Sequence, residues 1–219
     1  PEEILQEMYD QTLVGIVPRV LELTYTALEL KMEPQSLLFD SLIPALEEVG
    51  ARFERGDFFV PEMLIAGRAM AGAMEVLRPL LAETGVETVG KYVMGTVQGD
   101  VHDIGKNLVC IMLEGAGFEV IDLGVQVKPE KFVQAVQEHQ PDIVGFSAFL
   151  TTTMPMFKAN LNALTKAGLR DQVLVMVGGA PVTQEYADAV GADGYAADAS
   201  ATVKRAKAML KERRAKVDA

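Results

Sequence analysis

The hydrophobic pattern changes once along the chain, and this change constrains the fold more than any other feature. From residue 3 to residue 82, apolar side chains recur every three to four residues, which predicts helices. After residue 90, short apolar strand-like runs alternate with helical runs. Because parallel strands need long crossover connections, which are usually helices, this alternation predicts a parallel sheet. The sequence therefore predicts an all-α N-terminal domain followed by an α/β domain.

The first half has four helical runs with short connections, which favours a small antiparallel four-helix bundle. The predicted helices are 3–13, 17–31, 35–53 and 61–81. Pro44 lies inside the third helix, and we expect it to kink that helix. A polar, glycine-bearing stretch then separates the two patterns. We therefore predict a bundle domain over 1–83, a linker over 84–90 and a second domain over 91–219.

The second half contains five strand-like runs and five helical runs in strict succession. The predicted strands are 91–98, 118–123, 142–148, 172–177 and 194–196, and the predicted helices are 104–114, 129–138, 154–166, 182–190 and 200–214. Five strands in this succession favour a doubly wound, flavodoxin-like or Rossmann-like parallel sheet with strand order 2-1-3-4-5.

Charge and cysteine content exclude several classes of function. The net charge of −11 argues against nucleic-acid binding, which needs a basic surface. No apolar run approaches the ~20 residues of a membrane span, and the start of the chain has no signal-peptide pattern, so we expect a cytoplasmic protein. Cys110 is the only cysteine, which excludes an internal disulfide. One cysteine and two histidines cannot complete an ordinary zinc site.

The predicted strand order places the polar residues of interest at one edge of the sheet. In such a fold, ligands bind outside the carboxyl ends of the strands, between the first and third strands. The first strand leads to Asp100 and His102, and the third leads to Ser147 and the threonine run 151–153. The fourth ends in Gly178-Gly179, where missing side chains allow a ligand to approach the backbone.

His102 is the candidate ligand for a metal. Asp100 can accept its second ring N–H, which fixes the tautomer and raises the basicity of the other nitrogen. We expect Ser147 to donate to Asp100 and so extend the relay. Because one histidine cannot hold a bare metal ion, this arrangement indicates a metal that arrives already chelated, in a haem or a corrinoid. His139, at the end of a predicted helix, is interpreted as structural.

A serine, an aspartate and a histidine together also suggest a hydrolase, but the local sequence argues against one. Ser147 lies in Gly145-Phe146-Ser147-Ala148-Phe149, which lacks the second glycine of a nucleophile elbow. The chain also has no Gly-x-Gly-x-x-Gly or Walker sequence for binding a dinucleotide or a nucleoside triphosphate. A hydrolase is therefore the least favoured interpretation.

The segment Asp100-Val101-His102-Asp103-Ile104-Gly105 resembles the Asp-x-His-x-x-Gly signature of cobalamin-binding domains. These domains occur in methionine synthase, in mutases and in the corrinoid proteins of methyltransferase systems. Ser147 and Gly178-Gly179 also match the family. One departure is visible, since the family usually has Ser-x-Leu where this chain has Ser147-Ala148-Phe149. In the first half, residues 53–63 resemble the motif of the methionine-synthase-type helical cap.

The resemblance implies a role for each matching residue. His102 would bind cobalt from below in place of the cofactor's own base, the base-off/His-on state, with Asp100 and Ser147 behind it. Gly105 would let the displaced nucleotide tail pass. The cofactor-binding set implied by the resemblance is Gly99, Asp100, Val101, Asp103, Gly105, Ser147, Thr151, Gly178, Gly179 and Ala199. The implied cap positions over the upper face are Phe53, Val60 and Met63, and no residue is assigned a catalytic role.

The resemblance also implies a function. The additional modules of mutases and of methionine synthase do not fit in 219 residues, so we expect a stand-alone, non-catalytic methyl carrier. Its expected partners are a methyltransferase specific for a methylamine, methanol, a betaine or an aryl methyl ether, and a second methyltransferase acting on a thiol or tetrahydrofolate. A reductive activase is a further expected partner. The alternative is a cobalamin-binding sensor or storage module.

Overall fold

The computed structural model describes residues 2–84 and 88–217. The chain forms two compact units, one of Pro1–Thr88 with Glu114–Gly117 and the other of Val89–Leu113 with Phe118–Ala219. Residues 85–87 of the predicted linker lie outside the described residues. The predicted domain limits stay predictions.

The N-terminal unit is helical, as the three-to-four-residue period predicts. Its helices are α1 (Glu2–Leu13), α2 (Val17–Glu29), α3 (Pro34–Leu37), α4 (Ile43–Arg55) and α5 (Val60–Thr84). A π-helical turn, Leu38–Leu42, joins α3 to α4, so the predicted third helix is divided. Pro44, expected to kink that helix, lies directly after the π-helical turn, in the first turn of α4. The buried side chains of this unit include Met8, Leu23, Leu46 and Met70.

The second unit is an α/β fold. Its elements are β1 (Lys91–Thr96), α6 (Ile104–Gly115), β2 (Glu119–Asp122), α7 (Pro129–His139), β3 (Ile143–Ser147), α8 (Pro155–Lys166), β4 (Leu174–Gly178), α9 (Gln184–Val190), β5 (Gly194–Tyr195) and α10 (Ala199–Val217). The strands are all parallel in the order β2-β1-β3-β4-β5, which confirms the predicted topology. Thr96 pairs with Ser147, and Ser147 with Gly178. The three central strands therefore end level with one another.

The two faces of the sheet differ in their side chains. Because successive residues of a strand point to opposite faces, Val144 and Phe146 share one face, where they join a core that includes Phe132 and Phe157. The other face carries small residues beside long ones. A Cβ at Gly145 would lie 2.4 Å from the Sδ of Met94. Glycine in β3 therefore makes room for the long side chains of β1.

Within the described ranges, no helix is both long and apolar enough to cross a membrane.

Candidate functional site

The loop between β1 and α6 carries the predicted signature. Gly99 has φ +84°, a left-handed conformation that glycine adopts without strain, and it turns the chain directly after the strand. The backbone N–H of Asp100 then donates to the carbonyl of Val97 at 3.1 Å. This turn buries the Asp100 side chain completely, while His102, two residues later, stays 44% exposed.

The Asp100 carboxylate accepts hydrogen bonds at both oxygens. Its Oδ1 lies 2.7 Å from His102 Nδ1 and 3.1 Å from the backbone nitrogen of His102. Its Oδ2 accepts from the Thr153 hydroxyl at 2.7 Å and from the backbone N–H groups of Phe149 and Leu150 at 2.8 and 3.2 Å. Asp100 therefore joins the loop after β1 to the loop after β3.

These hydrogen bonds determine the charge of Asp100. Burial by itself raises the pKa of a carboxyl group, but the donors outweigh it. The Thr153 hydroxyl, the His102 ring and backbone N–H, and the Phe149 N–H hold the pKa of Asp100 well below its usual range. Asp100 is therefore ionised at neutral pH, and its charge is balanced by fixed donors instead of water.

An ionised Asp100 fixes the tautomer of His102. Because the carboxylate can only accept, Nδ1 of the imidazole carries a proton, so the neutral tautomer has its lone pair on Nε2. In the part of the chain that the structure describes, no group bonds to Nε2. The ring also stacks on Phe149, with centroids 4.3 Å apart and planes inclined by 26°. The His102 imidazole is thus held by Asp100 and Phe149 and is partly exposed, and its Nε2 is available to bind a ligand.

The structure corrects the predicted relay. Ser147 was expected to donate to Asp100, but the hydroxyl that does so belongs to Thr153. Ser147 is half-buried at the end of β3, and among residues 2–84 and 88–217 its hydroxyl makes no hydrogen bond to Asp100. Thr153 lies in the turn before α8, with its hydroxyl also 2.9 Å from the Leu150 carbonyl. The threonine run was the available signal, but the sequence does not show which hydroxyl reaches the carboxylate.

The other predicted binding residues lie at the same carboxyl edge of the sheet. Gly105 is exposed in the first turn of α6, and a Cβ there would meet nothing within 4 Å. Gly179 has φ +129°, and a Cβ there would lie 1.9 Å from the Ala148 carbonyl oxygen, so only glycine fits. Ala199 is buried at the start of α10, and Thr151 is exposed.

Exposed apolar side chains lie at this edge, in its loops and at the start of α6. Val101 and Ile104 flank His102 in sequence, and Phe149 and Leu150 follow β3. Val125 is also exposed, and the backbone N–H of the next residue, Gln126, donates to the Asp100 carbonyl. Apolar side chains exposed in this way are typical of a ligand-binding surface. An imidazole with a free lone pair among apolar groups fits a large, mostly apolar ligand that contains a metal.

An ion pair between a buried lysine and a partly exposed aspartate lies next to the signature and was not predicted from the sequence. Lys106 is only 2% exposed, and its Nζ contacts Asp122 at the end of β2 and, at 2.6 Å, the Oδ1 of Asn107. Lysine is rarely buried unless paired. The pair ties the first turn of α6 to the end of β2, directly behind the loop that carries His102.

The three predicted cap residues lie in the helical unit. Phe53 is half-buried near the end of α4, Val60 is half-buried at the start of α5, and Met63 is fully buried. Phe59, which the prediction left out, is 65% exposed. That these side chains cover a cofactor stays a prediction. Across the described ranges, no group of three or more His, Cys, Asp or Glu side chains is placed to hold a metal ion.

The chain matches two family models, each described as a B12 binding domain, over residues 90–204 and 4–78. It is 42% identical to the dimethylamine corrinoid protein of Methanosarcina barkeri over 210 residues, which are 95% of this chain and 98% of the relative. It is 40% identical to trimethylamine corrinoid protein 1 of Methanosarcina acetivorans over 211 residues, again 95% and 98%.

Solved structures show the same fold. A chain of the methanol:cobalamin methyltransferase complex MtaBC from Methanosarcina barkeri aligns with a TM-score of 0.83 at 29% identity, covering 95% of this chain and 80% of that chain. A cobalamin-binding protein from Desulfitobacterium hafniense DCB-2 aligns with a TM-score of 0.68 at 32% identity, covering 93% and 97%.

Proposed function

The chain belongs to the family of cobalamin-binding corrinoid proteins that serve methyltransferase systems as methyl carriers, and we propose that its methyl donor is a methylated amine. The names of its relatives support this choice of donor. The chain aligns with dimethylamine and trimethylamine corrinoid proteins over nearly their whole length. A donor-specific methyltransferase loads the methyl group, and a second methyltransferase passes it to a thiol or to tetrahydrofolate. A reductive activase restores the carrier after oxidation, and all these partners work in the cytoplasm.

The observation that carries the proposal is the state of His102. Its Nδ1 is bonded to a buried, ionised Asp100, and its Nε2 keeps a lone pair next to exposed apolar side chains. A neutral imidazole with a carboxylate behind it is the usual arrangement of a metal-binding histidine. His102 would therefore hold the cobalt through Nε2 in the proposed base-off/His-on state, with Asp100, itself held by Thr153, fixing the tautomer and orienting the ring.

A bound corrinoid supplies a cobalt atom that accepts a methyl group from one partner and releases it to another. The chain provides the surroundings. Gly99, Val101, Asp103 and Gly105 would form the loop that faces the bound corrinoid, and the exposed glycine at 105 would leave space for its displaced tail. A set of small or polar residues that share the carboxyl edge of the sheet would line the tail: Ser147, Thr151, Gly178, Gly179 and Ala199.

The helical unit has a separate role in this proposal. Residues 1–83 form a cap, 84–90 a linker and 91–219 the cobalamin-binding domain, with Phe53, Val60 and Met63 at the upper face. Apolar cap side chains keep water away from a reactive cobalt. In this proposal the cap would move aside for each partner.

The test of the proposed ligand is electron paramagnetic resonance of the full-length protein. The protein is loaded with a cobinamide, which has no base of its own, and reduced to Co(II), whose spectrum splits when one axial nitrogen is bound. We expect His102→Ala to lose the nitrogen splitting, and His139→Ala, on α7, to keep it. An unchanged splitting in His102→Ala would overturn the assignment.

A transfer experiment separates the carrier from a sensor or storage module. The methylated holoprotein is mixed with a thiol-specific or tetrahydrofolate-specific acceptor methyltransferase, and loss of the methyl group from cobalt is followed by absorbance. Transfer within seconds supports the carrier. A methyl group that stays on cobalt with every acceptor enzyme would favour the sensor or storage module. Loading by a methylamine-specific enzyme, compared with methanol-specific and betaine-specific enzymes, identifies the donor.

A further inference from the structure

We infer that Phe149 is a positioning residue for His102, and that its ring fixes the plane of the imidazole. This inference rests on the proposed role of His102 as the cobalt ligand. The two rings lie with their centroids 4.3 Å apart and their planes inclined by 26°, a stacked arrangement. Phe149 is 51% exposed and is therefore not a core residue. Its contact with His102 is what the ring contributes.

The Asp100 carboxylate is hydrogen-bonded to both residues, to the ring of His102 and to the backbone of Phe149. The backbone N–H of Phe149 donates to Asp100 Oδ2 at 2.8 Å, and His102 Nδ1 lies 2.7 Å from Asp100 Oδ1. Asp100 is fully buried and accepts further hydrogen bonds, so it is a rigid anchor. The main chain of Phe149 and the ring of His102 are therefore held next to each other by the folded chain before any ligand binds.

The hydrogen bond and the stack restrain different motions of the imidazole. A single bond at Nδ1 fixes one atom of the ring but still lets the ring tilt about that atom, and each tilt moves Nε2. A flat ring against one face of the imidazole opposes that tilt. Together the two contacts fix the direction of the Nε2 lone pair, which is the preorganisation that a metal ligand needs.

The position of Phe149 makes this function separable from the Asp100 network. Where the family pattern has leucine, this chain has phenylalanine. A leucine at 149 keeps the backbone N–H that Asp100 accepts and removes only the flat ring. Phe149→Leu is therefore a matched variant that tests the stack alone, and Phe149→Tyr restores the ring.

The first measurement is a cyanide titration of the full-length protein loaded with hydroxocobalamin. Cyanide competes with the lower ligand, and the dicyano form is followed by its absorption. We expect Phe149→Leu to need about fivefold less cyanide for half-conversion, the factor expected from losing a stacked aromatic pair. Phe149→Tyr should match the unchanged protein. Equal cyanide midpoints for all three proteins would overturn the inference.

The second measurement needs no cofactor. In the apoprotein, the ring current of Phe149 should shift the His102 ring protons upfield in the nuclear magnetic resonance spectrum. The shift should be lost in Phe149→Leu and kept in Phe149→Tyr. A shift that persists in Phe149→Leu would show that the stack is absent in solution and would also overturn the inference.

The two proposals fail in distinguishable ways. If His102→Ala has the same cyanide midpoint and the same Co(II) spectrum as the unchanged protein, His102 is not the ligand and the proposed site fails. If His102→Ala changes both but Phe149→Leu changes neither the cyanide midpoint nor the apoprotein spectrum, only the role of Phe149 fails. The urea midpoint of Phe149→Leu should stay unchanged, because the exposed ring contributes little to the core.

Discussion

Replacing Thr153 by valine should destabilise the α/β unit by about 2 kcal/mol. The Thr153 hydroxyl lies 2.7 Å from an oxygen of the fully buried Asp100, and Thr153 itself is 8% exposed. Hydrogen bonds to charged groups contribute about 1.5–3 kcal/mol, and a buried acceptor that loses its donor cannot turn to water. Valine keeps the shape of threonine, so the loss reports the hydrogen bond and not a cavity.

Two matched variants make this prediction specific. Thr153→Ser keeps the hydroxyl and removes the methyl group, which lies near Gly99. It should lower the free energy of unfolding by about 0.8 kcal/mol. Ser147→Ala removes a hydroxyl that does not bond to Asp100, and it should cost less than about 0.5 kcal/mol. The assay is amide hydrogen exchange of β1 and β3 in urea, which reports the free energy of unfolding of this unit. The reasoning is refuted if Ser147→Ala costs as much as Thr153→Val.

Three further substitutions test other parts of the fold. Lys106→Met leaves Asp122 unpaired and should lower the free energy of unfolding by about 2 kcal/mol in the same exchange assay. This loss is smaller than for a fully buried pair because Asp122 is partly exposed. An unchanged free energy of unfolding would contradict a stabilising ion pair. Gly179→Ala should lower the free energy of unfolding by about 3 kcal/mol or prevent folding, because its Cβ would overlap the Ala148 carbonyl. Gly105→Ala, at an open position, is the control and should leave the thermal midpoint unchanged. Asn160→Leu should raise the free energy of unfolding by about 1 kcal/mol, because both polar atoms of this buried amide lack a hydrogen-bond partner among the described residues. A clear loss of stability in this variant would indicate that the amide has a hydrogen-bond partner.

The sequence predicted the sheet well because period and punctuation are local properties. Alternating strand-like and helical runs require crossovers, and five strands in this succession favour the order 2-1-3-4-5. The family resemblance, based on the segment from Asp100 to Gly105, is confirmed by the two B12 binding domain matches. The third predicted helix was only partly right, because hydrophobic spacing does not distinguish an α-helix from one interrupted by a π-helical turn.

The Asp100 network was harder to predict because it depends on tertiary distances. Ser147 lies at the end of a strand beside β1, which made it the natural hydroxyl donor, yet Thr153 reaches Asp100 from the following turn. The Lys106 ion pair was missed for a related reason. A lysine at the start of a helix is usually exposed, and only the position of Asp122 on the neighbouring strand makes its burial favourable.

The hydrogen bonds to Asp100 also bear on how the loop after β3 moves. Phe149 and Leu150 have exposed side chains, but their backbone N–H groups both donate to a carboxylate that water does not reach. The exposed side chain of Leu150 can therefore change rotamer within nanoseconds, while the backbone beneath it moves only when the carboxylate releases its donors. A molecule that meets this surface encounters a main chain held in place, on which the Phe149 ring stays stacked on His102 and Leu150 is free to adjust.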